Sequence, residues 1–143
     1  MSAKNIKLLL VQKDNELLGP LEAQLKEISG VDLCAKAFNY EELAAAYKKI
    51  NPDLILLDLS FDEDNIYSFL SSLESQVASG HLALIALAGS SDMNRIRKAM
   101  KSGCADFLML PVKTEEISNA IKSAYDKNQS ILKSSTVTPL SQR

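Results

Sequence analysis

Two stretches of the chain are apolar without a break, Leu54 to Leu57 inside PDLILLDLSF and Leu82 to Leu87. Runs this short, the first bounded by Pro52 and by the acidic DEDN segment, predict strands buried on both faces, and therefore a parallel sheet with helices on each side. Ile6 to Val11 and Ala105 to Leu110 read as further strands, the second ending at Pro111. Val31 to Phe38 instead alternates apolar and polar residues, the pattern of an edge strand.

Between the strands the period changes to that of a helix. Leu17, Leu21, Leu25 and Ile28 form a stripe that stops at Gly30, with Pro20 tolerable only in a first turn, so this helix is expected to start near Gly19. Leu43, Tyr47 and Ile50 mark a helix from Tyr40 to Ile50. The clearest stripe is Ile66, Phe69, Leu70, Leu73 and Val77, closed by Gly80. A fourth helix carries Met93, Ile96, Ala99 and Met100 and ends at Gly103; a fifth carries Ile117, Ala120, Ile121 and Ala124, with Thr114 as its expected N-cap. About five βα units with no internal repeat predict an α/β fold, a doubly wound five-stranded parallel sheet joined by right-handed crossovers, for which 2-1-3-4-5 is one common order.

From Asn128 the sequence becomes NQSILKSSTVTPLSQR, rich in serine and threonine. The expected division is one domain at 1–127 and a flexible C-terminal tail or linker at 128–143, with room for a downstream effector domain. The net charge of −2 argues against a general nucleic-acid-binding surface. The apolar run after MSAKNIK is too short for a membrane span and no cleavage site follows it, so a cytoplasmic protein is expected. Cys34 and Cys104 fit no metal or redox spacing and are expected to be small buried residues, and Met93, Met100 and Met109 to be core packing.

Candidate chemistry centres on Asp58, which ends the first buried run and should lie at the carboxyl edge of a central strand, where ligands collect in open α/β sheets. The sheet order places beside it Gln12, Lys13 and Asp14 after the first strand, Ala88, Gly89 and Ser90 after the fourth, and Leu110 with Pro111 after the fifth. Other constellations carry less. Asp62, Glu63 and Asp64 lack EF-hand spacing and read as a solvated loop, His81 should begin a strand at the opposite edge, and QKDNELLGP has no phosphate cradle.

The order of elements, LILLDL with Asp58, and SGCADFLMLP with Gly103, Asp106, Phe107 and Pro111 resemble response-regulator receiver domains of two-component signalling, from Ile6 to about Tyr125. The resemblance implies a flavodoxin-like receiver fold, Asp58 as the phosphoacceptor and Phe107 as the switch aromatic. It also implies a Mg²⁺-binding acidic pair where this chain has Gln12 and Lys13, a hydroxyl residue where it has Ala88, and a lysine where it has Leu110. The loop after Asp58 departs as well, with Asp62 in place of a proline and Ile66 where a glycine is frequent.

Those substitutions have a physical meaning. Phosphoryl transfer to a carboxylate depends on positioning and on electrostatic stabilisation by metal and fixed cations. An ammonium at position 13 replaces an attraction for Mg²⁺ by a repulsion worth a few kcal/mol at about 4 Å and an effective dielectric near 20, enough to weaken binding by roughly two orders of magnitude. No metal or other cofactor is therefore expected, Lys13 is expected to pair with Asp58, and the alternation of the strand should turn Asp14 away.

The leading expectation is a pseudo-receiver without enzymatic activity that works through protein–protein interaction or self-association. Its face would comprise the fourth helix, fifth strand and fifth helix, where Arg95, Lys98, Lys101 and Asp106 stand. Two alternatives stay open: a working receiver phosphorylated on Asp58, and a small-ligand domain using the vacated pocket near Leu110 and Ala88. Direct nucleic-acid and membrane partners are not expected.

Overall fold

A computed structural model describes residues 5–12, 19–59, 66–88, 93–109 and 112–137 of the chain. Its strands are β1 (Ile6–Val11), β2 (Val31–Ala37), β3 (Leu54–Asp58), β4 (Ala83–Ala88) and β5 (Asp106–Met109). Its helices are α1 (Gly19–Glu27), α2 (Tyr40–Ile50), α3 (Ile66–Ser72), α4 (Glu74–Ala78), α5 (Met93–Lys101) and α6 (Thr114–Val137). The strands form one sheet in the order β2-β1-β3-β4-β5, and every pairing is parallel.

β3 and β4 are buried at every residue, as their unbroken apolar sequences require of strands covered on both faces. Alternation divides the core in two. Leu9, Val11, Ile55, Leu57, Leu84 and Ala86 pack on one side with Leu43 of α2, Phe69 and Leu70 of α3 and Ile96 of α5. Leu8, Leu10, Leu54, Leu56, Ile85 and Leu87 pack on the other with Leu21 and Leu25 of α1 and Ile117 and Ile121 of α6.

Several expectations are corrected. The third helical stripe is a helix in two pieces, broken at Leu73, whose backbone leaves the helical region at φ −99° and ψ 2°. The hydroxyl of Ser72 turns back to donate to the Phe69 carbonyl at 2.6 Å, a local bond that competes with the helical ladder. Leu73 nevertheless stays in the core, so the apolar stripe survives the break. The expected fourth and fifth helices are consequently α5 and α6. Thr114 is the first helical residue and not the cap, since Ile117 N–H already donates to the Lys113 carbonyl at 3.1 Å.

Cys34 is exposed, not buried, because β2 is an edge strand whose residues Asp32, Cys34 and Lys36 alternate outward; Cys104 is buried as expected. Met93, Met100 and Met109 are 56%, 40% and 39% exposed and do not pack the core. α5 docks through Ile96 and Ala99, which leaves the methionine edge of its stripe uncovered.

α6 runs past Asn128 as far as Val137, so the serine-rich stretch continues the helix over that span. Gly80 explains how it is seated. The residue has φ +85°, and a Cβ there would stand 2.8 Å from the Asn128 carbonyl oxygen and 3.0 Å from the Ile131 side chain. Only glycine lets the turn before β4 and the far half of α6 approach so closely.

Candidate phosphoacceptor pocket

The carboxyl edge of the sheet brings together the ends of β1, β3 and β4. Asp58 is the last residue of β3 and 3% exposed, in register with Leu87. Gln12 follows β1, is 8% exposed, and donates its backbone N–H to the Ala37 carbonyl at 3.0 Å. Val11 pairs with Leu57, which sets Gln12 level with Asp58, and both residues continue the parity of the strand positions facing α1 and α6. Ala88 ends β4 and is buried, opposite Met109 in the register, and Phe107 stands half-buried opposite Ala86. Gln12, Asp58 and Ala88 thus stand at the carboxyl ends of the neighbouring strands β1, β3 and β4, whereas Phe107 packs with Ala86 and Ala88 in the core layer on the other face of the sheet. Lys13, Asp14 and Leu110 lie outside the described residues, as do Gly89, Ser90, Pro111 and the acidic loop Asp62 to Asp64.

One feature of the pocket escaped the sequence. The side-chain oxygen Oε1 of Gln12 is buried with no hydrogen-bond partner among the described residues. A buried acceptor left unmade costs roughly 1–3 kcal/mol. A glutamine at the end of a buried strand, at a sheet edge where chemistry collects, is the signal that could have flagged it.

Mg²⁺ takes near-octahedral oxygen ligands, usually one or two carboxylates with waters. The described residues at this edge offer the Asp58 carboxylate and the neutral Gln12 amide oxygen, and no group of three acidic, histidine or cysteine side chains gathers among the described residues.

The expected interaction residues are only partly co-facial. Lys98 and Lys101 on α5 and Asp106 on β5 are exposed, while Arg95 is half-buried. The Lys98 ammonium lies 4.9 Å from the centre of the Tyr67 ring of α3. At 100° per residue Met93, Arg97 and Met100 share a different face of α5 from Lys98, and Lys101 lies beside Lys98, three residues on. Asp106 accepts the N–H of Phe107 at 2.8 Å, which holds its carboxylate against its own strand. The exposed methionines therefore belong to this face as much as the charges do, a feature that periodicity alone had assigned to the core.

The family profile of the response regulator receiver domain matches residues 8–122. The chain belongs to this family. Receivers of known sequence that it resembles include the probable C4-dicarboxylate response regulator DctR of Bacillus subtilis, 25% identical over 96% of this chain and 60% of that protein. Another is the chemotaxis protein CheY of Listeria monocytogenes, 24% identical over 81% of this chain and 96% of that protein. The chain spans 60%, 53% and 52% of the length of three of its curated response-regulator relatives. Among solved structures, the receiver domain of the putative response regulator NarL from Mycobacterium tuberculosis superposes with a TM-score of 0.74 at 14% identity, over 87% of this chain and 98% of that one. The receiver domain of an HD domain-containing protein from Pseudomonas fluorescens also gives 0.74, at 20% identity over 89% and 99%. At these identities the structural likeness establishes the fold. Receivers are signalling domains that work with kinases and effector domains, and no helix among the described residues is long and apolar enough to cross a membrane.

Proposed function

We infer that this receiver signals by protein contact, without Mg²⁺-dependent phosphorylation. The observation that carries the reading is the make-up of the carboxyl edge, where buried Asp58 keeps its place while its neighbours are an amide at Gln12 and a methyl group at Ala88. Neither can hold a divalent cation as a carboxylate does, and Ala88 has no hydroxyl to take up the phosphoryl oxygens. The sequence places Lys13 immediately after Gln12, so a cation stands where the family's acidic pair would bring a carboxylate.

The contact surface in this reading is formed by α5, β5 and the first turns of α6. Met93, Met100 and Met109 expose flexible, polarisable side chains there, Arg97 lies on the same side of α5, and Lys98 and Lys101 flank it. Met side chains adapt to a partner's shape, and the cations set its orientation. The partner is a protein, either a second copy or an effector domain. The protein acts in the cytoplasm and has no enzymatic turnover of its own.

Intact mass after incubation with acetyl phosphate and Mg²⁺ tests the first half of the reading. An unchanged mass is expected. A stable gain of one phosphoryl group that disappears in Asp58→Ala would establish a working phosphoacceptor instead, the reading that the preserved burial and position of Asp58 favour.

A further inference from the structure

The edge of the sheet opposite Asp58 carries a polar cleft of about 340 Å³. It opens where β1, β3 and β4 begin, and its outer wall is the second half of α6. We propose that this cleft binds a small zwitterion of the amino-acid class, free or as a dipeptide. The volume lies at the low end of the roughly 300–1,000 Å³ typical of ligand pockets and suits a molecule of that size.

The charges decide the class. Lys7 and Asp53 line the cleft with one full charge of each sign. The Asp53 oxygen Oδ2 accepts the backbone N–H of Lys7 at 2.9 Å, which fixes the carboxylate and leaves its second oxygen for another donor. The Lys7 ammonium makes one long bond, 3.5 Å to the Ile50 carbonyl, and keeps donors to spare. One held carboxylate and one lightly engaged ammonium match a ligand that carries an ammonium and a carboxylate. A phosphate would meet Asp53 as well as Lys7, and a metal ion would find a single carboxylate beside a lysine.

The remaining polar groups suit the neutral parts of such a molecule. Asn51, Gln76, Asn128 and Gln129 bring four primary amides, whose side chains make no hydrogen bond among the described residues. His81 has Nδ1 2.7 Å from the Ser79 hydroxyl, which orients the ring and leaves Nε2. Tyr125 remains a phenol, its pKa raised by burial and then by the charges of Asp53 and Asp126. Tyr125, Asn128 and Gln129 lie beyond residues 8–122, the part that matches the receiver profile. The glycine at position 80 is what permits the α6 backbone to close the wall against the start of β4.

The test is an amide-resolved NMR titration of the full chain with individual free L-amino acids and glycylglycine, with glucose as a neutral polyol. At least one amino acid or the dipeptide should give saturable shifts at Lys7, Asp53, His81 and Asn128, half-complete below about 1 mM. Lys7→Gln removes the cation, and Asp53→Asn removes the anion while keeping an oxygen for the Lys7 N–H. Each should weaken binding by about tenfold or more with the spectrum otherwise native, whereas Asp58→Asn should leave it unchanged. The proposal is overturned by no saturable shift with any amino acid or the dipeptide, by either charge variant binding as tightly as the parent, or by glucose moving the same amides. None of these outcomes bears on phosphorylation at Asp58.

Discussion

Gly80→Ala measures how firmly the far half of α6 is part of the domain. Gly80 and Gly30 both have φ +85°, so alanine at either site carries the same backbone penalty, roughly 1–2 kcal/mol for an L-residue in the left-handed region. Their surroundings differ. A Cβ at Gly30 meets nothing within 4 Å, whereas one at Gly80 comes to 2.8 Å from the Asn128 carbonyl oxygen and 3.0 Å from Ile131. Backbone cannot swing aside as a flexible side chain can, so overpacking adds about 1–3 kcal/mol at Gly80 alone. Urea unfolding followed by far-UV circular dichroism should show Gly30→Ala losing about 1–2 kcal/mol and Gly80→Ala about 2–5. Ending the chain at Lys127 removes the opposing atoms, and there the two substitutions should cost the same. Equal costs in the full chain, or a difference that survives the truncation, would refute the docking of α6 on the sheet edge.

Other expectations follow from single side chains. Burial pushes the Cys104 thiol up to about 12, and Cys34 is exposed, so native protein treated with a maleimide at pH 7 should take one label, at Cys34, with the second appearing only on unfolding. Gln12→Leu should leave stability unchanged or raise it by about 1 kcal/mol, because it removes the unmade acceptor; a loss of more than about 2 kcal/mol would mean that Oε1 has a partner. The Glu22 carboxyl is held below its ordinary value, first by the hydrogen bond from Lys36 at 2.6 Å and then by that from Lys26. A lowered folded value means that this stabilisation is present above the ordinary carboxylate pKa and is lost as pH falls through the folded one. Glu22→Gln should therefore be slightly less stable than the parent at neutral pH and low salt, and the gap should close at low pH; a gap independent of pH would contradict the ion pair.

The fold was legible because its signals are local. Pro52 and the apolar run before Asp58 mark β3, the alternation from Val31 marks the edge strand, and Pro20 marks the start of α1, each within a few residues of sequence. The placing of Gln12, Asp58 and Ala88 at one end of the sheet was legible too, since strand order alone sets it. The break at Leu73 was not, because Leu73 and Val77 keep helical spacing across it and the Ser72 hydroxyl that competes with the ladder leaves no mark on hydrophobic period.

What the sequence by itself determined is therefore the class of fold and the position of Asp58 at the end of a central strand. Only the tertiary structure decided which apolar residues are covered. Met93 and Met100 share a stripe with Ile96 and Ala99, yet the sheet receives only one edge of that stripe. Cys34 alternates with residues that face α helices, yet its own side of β2 faces water. The stretch after Asn128 has the composition of a linker, yet Gly80, far away in sequence, offers the space against which it can lie as helix. Periodicity is a property of one segment, and burial is a property of two; the second segment comes from elsewhere in the chain and becomes a neighbour only on folding.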